Sequence, residues 1–207
     1  MKRFKQAGIL VALLVLPVFL YLLLVGFGKN RYDLPVITTF TDSLRTDTIH
    51  IEKAPAFSLP QLDGTILEGS ALDGHVYIAH FVSVPCQGSC EKVMTELKRV
   101  QEFFRDQPEV VILTHAAGQA REAVALQQTY AAVPPQWKIV TGSPAMLQQL
   151  ARQGYGLVSD PDRDTTLVLL DGTRRIRGLY LGTDPKEVDR LLVEAEILVQ
   201  QKSEPNI

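Results

Sequence analysis

Val76-Tyr-Ile-Ala-His-Phe-Val-Ser-Val84, then Pro85-Cys86-Gln87-Gly88-Ser89-Cys90, then Glu91 to Arg105, is the stretch on which the fold turns. Its first part is a nearly unbroken β-rich apolar run, the pattern of a strand buried on both faces. Pro85 ends it. In its last part Val93, Leu97, Val100, Phe103 and Phe104 recur at helical spacing. The only two cysteines of the 207-residue chain sit in the junction between strand and helix. A thiol there faces the unsatisfied N–H groups and the positive dipole end of the helix, which stabilise a thiolate. Two cysteines are too few for a disulfide scaffold but enough for one redox pair or one thiolate metal site.

Outward from the junction, Glu109 to Leu113 reads as a second buried strand ending at Thr114-His115, and Gln119 to Tyr130 as a second helix. Trp137 to Val140 is a short strand. Ser143 is a candidate N-cap for a helix over 144–153, with Pro144 in its first turn and Gly154 near its stop. Thr165 to Leu170 is a third long strand, turned back by Asp171-Gly172 into Ile176 to Leu181, and Thr183 caps a final helix through Val199. The order is strand–helix–strand–helix, an insert, then hairpin–helix. A βαβ unit followed by a ββα unit is the thioredoxin-like plan, an α/β fold with a central mixed sheet flanked by helices.

The N-terminus has its own signature. Lys2, Arg3 and Lys5 precede an uncharged run from Gln6 to Gly28. That is long enough to span a bilayer, which takes about 20 apolar residues. It is longer than a signal-peptide core and has no clear small-residue cleavage pattern. The reading is a retained membrane anchor over 1–28, with a cleaved signal as the alternative. The basic head favours the N-terminus inside, placing the soluble part on the extracytoplasmic side, periplasmic in a bacterium. Residues 29–54 read as a polar tether with a short edge strand near Thr48–Ile51. The domain is expected over 55–201 and a frayed tail over 202–207. A formal net charge of −2 gives no electrostatic case for nucleic acid.

Several motifs together resemble the SCO/SenC family of membrane-anchored, thioredoxin-like copper proteins. They are Ala54-Pro-Ala-Phe-Ser-Leu-Pro-Gln-Leu-Asp-Gly64, the strand leading into Cys86-x-x-x-Cys90 with Met94 after it, Trp137-Lys-Ile-Val-Thr-Gly142, and the closing Gly178-x-Tyr-x-Gly-Thr-Asp-Pro-x-Glu-Val-Asp189. The resemblance covers about 55–198 and the anchor. It implies copper, as Cu(I) or Cu(II), bound by Cys86, Cys90 and a histidine. It also implies a role in assembling the copper centre of cytochrome c oxidase, with that enzyme's copper-bearing subunit or its assembly factors as partner.

The chain departs from that pattern at the histidine. The family's ligand lies just before the third long strand, where this chain has Asp162-Arg163-Asp164-Thr165-Thr166, so Asp164 stands at the ligand position. A carboxylate is a hard donor poorly suited to Cu(I). The family's aspartate after the second strand aligns with His115. One reading exchanges the two, with His115 as nitrogen ligand and Asp164 as carboxylate. The other leaves His115 a loop histidine without a ligand role, and the chain an extracytoplasmic thiol–disulfide oxidoreductase with weak or no copper binding. His80 reads as a hydrogen-bonded core residue, and His50 and His75 as exposed.

Overall fold

The computed structural model describes residues 13–22, 34–41, 48–157 and 165–203. Residues 13–22 are helical, with their large apolar side chains exposed, and belong to a first unit, Met1–Asp33. Among the described residues no helix is long and apolar enough to cross a membrane. The flanks of the expected anchor, 6–12 and 23–28, lie outside the described residues.

The second unit, Leu34–Ile207, carries the remaining elements. In chain order these are β1 (Thr39–Thr41), β2 (Thr48–His50), β3 (Ser58–Pro60), β4 (Ile66–Glu68), a 3₁₀ turn (Gly69–Leu72), β5 (Val76–Ser83) and α1 (Ser89–Phe103). There follow β6 (Val110–Ala117), α2 (Ala120–Tyr130), β7 (Trp137–Gly142), α3 (Pro144–Tyr155), β8 (Thr166–Leu170), β9 (Ile176–Leu181) and α4 (Pro185–Ser203). Five strands form one sheet in the order β7-β6-β5-β8-β9. β5, β6 and β7 run parallel, while β8 is antiparallel to both β5 and β9. This is the mixed sheet of a thioredoxin-like α/β fold, and its two halves are the βαβ and ββα units read from the sequence.

Strand alternation divides the interior into two cores. Val76, Ile78 and Val82 of β5 and Val110, Ile112 and Ala116 of β6 face one side, where α1, α2 and α4 pack. Tyr77, Ala79 and Phe81 of β5 and Val111, Leu113 and Ala117 of β6 face the other, where α3 and the segments 40–67 pack. The buried positions of α1 (Cys90, Val93, Met94, Leu97 and Val100) fall on one stripe, so the helix holding the second cysteine is pinned along its length.

Caps and turns follow the sequence reading, with shifts of a residue or two. Ser143 caps α3 by accepting the Met146 N–H. The α3 stop is Gly156 (φ 72°), while Gly154 lies inside the helix and lets Pro55 pack closely. A Cβ at Gly156 would lie 2.2 Å from the Phe40 ring. The Asp184 carboxylate, and not Thr183, accepts from Lys186 N–H at the start of α4. Asp171 turns β8 into β9 by accepting from Thr173 and Arg175 N–H.

The tether expected over 29–54 is the main correction. Within it, residues 34–41 and 48–54 are built into the folded unit. Thr39↔His50 to Thr41↔Thr48 form a hairpin, and Phe40, Ile51 and Ala54 are buried in the second core. Ile37 N–H donates to Ile176 O, Ala54 N–H to Arg174 O, and the Arg177 guanidinium to Leu34 O. The run is polar in composition, but Phe40, Ile51 and Ala54 point inward, and a composition reading averages that away. A fragment beginning at residue 55 is therefore expected to be markedly less stable than one beginning at 34. Phe40→Ala in the longer fragment should cost about 3 kcal/mol, the scale of a buried aromatic truncation. Urea denaturation measures both, and equal midpoints for the two fragments would restore the tether.

Candidate thiol and metal site

β5 delivers the chain to Ser83 at one end of the sheet, and α1 carries it back from Ser89. The five residues between them hold Cys86. Val84 N–H donates to Ala117 O, which ties the loop to the end of β6, and the Val84–Pro85 peptide is cis. Gly88 occupies the N-cap of α1 with φ 63° and ψ −114°, a conformation open to glycine and costly for any residue with a Cβ. It supplies no capping side chain. Cys90 N–H donates to Gln87 O at 3.3 Å. The N-cap position of α1 thus contributes no side-chain acceptor.

Cys86 and Cys90 are joined as a disulfide with Cα atoms 5.5 Å apart. Their surroundings differ. Cys86 is partly exposed, while Cys90 is 4% exposed and belongs to the first core. In the dithiol form, an incoming reactant reaches Cys86 first. Met94, one helical turn after Cys90, is fully buried in the same core. Its spacing from Cys90 was plain in the sequence, but only burial distinguishes it from a surface methionine.

The structure does not bring His115 to this pair. β6 runs on to Ala117, so His115 is a strand residue and not the loop residue expected after Leu113. Alternation turns it to the opposite face of the sheet from Cys90. There it is 0% exposed, stacked on Phe81 at 4.1 Å and edge-on to Phe57 and Tyr155, each at 5.7 Å. Its Nδ1 lies 3.2 Å from His80 O. A carbonyl only accepts, so Nδ1 carries the proton of the neutral ring and Nε2 keeps the lone pair. Nε2 is buried without a protein partner. Burial lowers the His115 pKa to about 3, offset only in part by the bond to His80.

Asp164 lies outside the described residues. The strand that follows it, β8, begins at Thr166 near the cysteine end of the sheet, Leu167 pairing with His80. His80 is a buried core residue of β5, as expected. His50 is exposed on β2 and His75 half-buried before β5. Among the described residues no group of three or more His, Cys, Asp or Glu side chains is placed to hold a metal ion. What the site offers is therefore sulfur. Two thiolates are soft donors that suit Cu(I) and discriminate against hard cations.

No protein-family model and no curated relative matches the sequence. Solved structures do match in fold. A SCO1/SenC family lipoprotein from Bacillus anthracis is 18% identical, with TM-score 0.63 over 71% of this chain and 95% of that one. Arabidopsis thaliana ScoI, a structure with copper bound, is 17% identical with TM-score 0.54 over 71% and 98% of the two chains. A thiol-disulfide oxidoreductase from Bacteroides fragilis is 21% identical with TM-score 0.56 over 69% and 98%. Likeness at these identities is a likeness of fold, shared by the copper protein and the oxidoreductase alike.

His115 predicts a pH dependence of stability. Its folded pKa of about 3 lies below the ordinary histidine value of 6.5. Below pH 6.5 the unfolded chain takes up a proton that the native state refuses, so stability falls as pH falls, until the folded pKa is reached. At pH 5 the loss is about 2 kcal/mol relative to pH 7. In His115→Leu that component is absent, so the unfolding free energy of wild type relative to the variant should fall by that amount between pH 7 and pH 5. Parallel pH profiles would show that the ring is not held neutral.

Proposed function

We propose that this chain is a membrane-held dithiol protein that carries Cu(I) on Cys86 and Cys90 and serves the assembly of the copper centre of cytochrome c oxidase. The observation that carries the reading is the placement of the pair. Two soft sulfurs sit at an uncapped helix start in a thioredoxin-like frame, one accessible to a partner and one set in the core. Copper here is cargo. The accessible sulfur of Cys86 is the one a partner's ligands meet first, and Cys90 anchors the ion from the protein side. Opening the disulfide takes two electrons and two protons from an external thiol reductant. Loading then releases two protons as the thiolates bind Cu(I). The likeness to the SCO1/SenC lipoprotein and to the copper-bound Arabidopsis protein supports this reading. The basic N-terminus and the apolar run from Gln6 to Gly28 support an anchor with the folded unit on the extracytoplasmic side.

A second reading is favoured by the distance of His115 from the pair and by the disulfide itself. In it the protein is a thiol–disulfide reductase. The Cys86 thiolate attacks one sulfur of a partner disulfide and displaces the other as a thiolate. Cys90 then attacks Cys86 Sγ, closing the Cys86–Cys90 bond and releasing the partner as a dithiol. Two electrons pass from this chain to the partner.

Titration of the reduced full chain in nanodiscs with Cu(I), alongside measurement of its reduction potential, separates the two. The expected result is one equivalent of Cu(I), lost in both Cys86→Ser and Cys90→Ser. An absence of copper binding with rapid reduction of a model disulfide would replace the copper reading by the reductase.

A further inference from the structure

We infer that the Met94 thioether is the third copper ligand of this chain, completing an all-sulfur site with Cys86 and Cys90. The inference rests on the copper reading above and adds a donor to it.

Among the described residues the donor set is otherwise short. The histidine nearest in sequence alignment to a ligand role, His115, is on the far face of the sheet, sealed between aromatic rings. The residue at the family's histidine position is an aspartate, whose oxygens do not favour Cu(I). Met94 is soft, and thioether and thiolate together select Cu(I). It lies four residues after Cys90 on α1, and both belong to the buried stripe of that helix. Side chains four apart on a helix stand one above the other, and long ones lean back towards the N-terminus. Met94 therefore leans towards the turn that holds Cys90. It is 0% exposed and shares the first core with Cys90, with Cys86 packed against that core. Of the two other methionines, Met146 is on α3, which packs against the opposite face, and Met1 is at the N-terminus.

The bonding balances without a change in oxidation state. Each thiol gives up a proton and its thiolate binds the ion, the thioether adds a neutral lone pair, and the complex carries one negative charge. A methionine donor also gives the ion a ligand that never titrates. Copper retention at low pH then depends on the two thiols alone and not on an imidazole.

Met94→Leu is the decisive variant, because it keeps the volume that the core requires and such exchanges usually cost less than about 1.5 kcal/mol. In competition with a chromophoric Cu(I) chelator, the reduced full-length variant should bind at least about tenfold more weakly than wild type, the scale on which one interaction at a metal site moves its affinity. X-ray absorption at the copper edge should find three sulfur neighbours in wild type and two in the variant. Protein labelled with selenomethionine should show a copper–selenium distance, a readout that holds even if the variant folds poorly. Two sulfur neighbours, no selenium and unchanged affinity would overturn the Met94 assignment and leave the dithiol copper reading standing. No copper bound by wild type would overturn both.

Discussion

The two-residue period of β5 and β6 is the constraint on which the rest of this molecule depends. Because both strands are buried on both faces, each residue is committed to one of two cores that exchange no side chains. Val76, Ile78 and Val82 fix where α1 lies, and α1 fixes Cys90. Tyr77, Ala79 and Phe81 hold α3 and the N-terminal hairpin on the other face. One residue of register decides whether a side chain can meet the cysteines. His115 is on the wrong side by that rule, and no side-chain rotation carries it through a hydrogen-bonded sheet.

The same separation explains how the two faces differ in chemistry. The cysteine face ends in a helix start without a capping side chain at its N-cap, carries the sulfur donors and is open at Cys86. The other face is closed, with a neutral imidazole stacked among Phe57, Phe81 and Tyr155. A buried, uncharged histidine with an unpartnered Nε2 is a packing element that carries an acid liability, and it gives no support to a nitrogen-ligated metal. Sulfur chemistry is left to the first face alone, and both readings of the function draw on the same pair.

Much of this was legible in the sequence. The long strands announce themselves because a doubly buried strand is a continuous apolar run, and Asp171-Gly172 fixes the β8–β9 pairing through the turn chemistry of Asp171. The cysteine junction was legible for the same reason. Two things were not. β6 runs four residues past Leu113, where its apolar run stops because Thr114 and His115 look polar, although a buried strand tolerates them where Trp137 Nε1 donates to Thr114 Oγ1 and His115 Nδ1 meets a carbonyl. The N-terminal hairpin was hidden because its burial rests on single residues, Phe40, Ile51 and Ala54, set in polar sequence. Local composition registers a stripe of apolar residues but not a lone plug whose socket, beside Gly156, is more than a hundred residues away.

The packing of 34–38 along β9 has a bearing on how the molecule keeps to itself. β9 is the last strand of the sheet, and its outer side would present unpaired backbone groups to any passing chain. Ile37 takes up the carbonyl of Ile176, Arg177 reaches Leu34, and Arg190 lies over the Tyr180 ring with its guanidinium on Leu179 O. Backbone cover at one end and a bulky cation at the other are devices that blunt an open sheet edge against self-association. Residues 34–38 thus also serve as a guard along the open edge of the sheet, so that the start of the folded unit shields the backbone of its last strand.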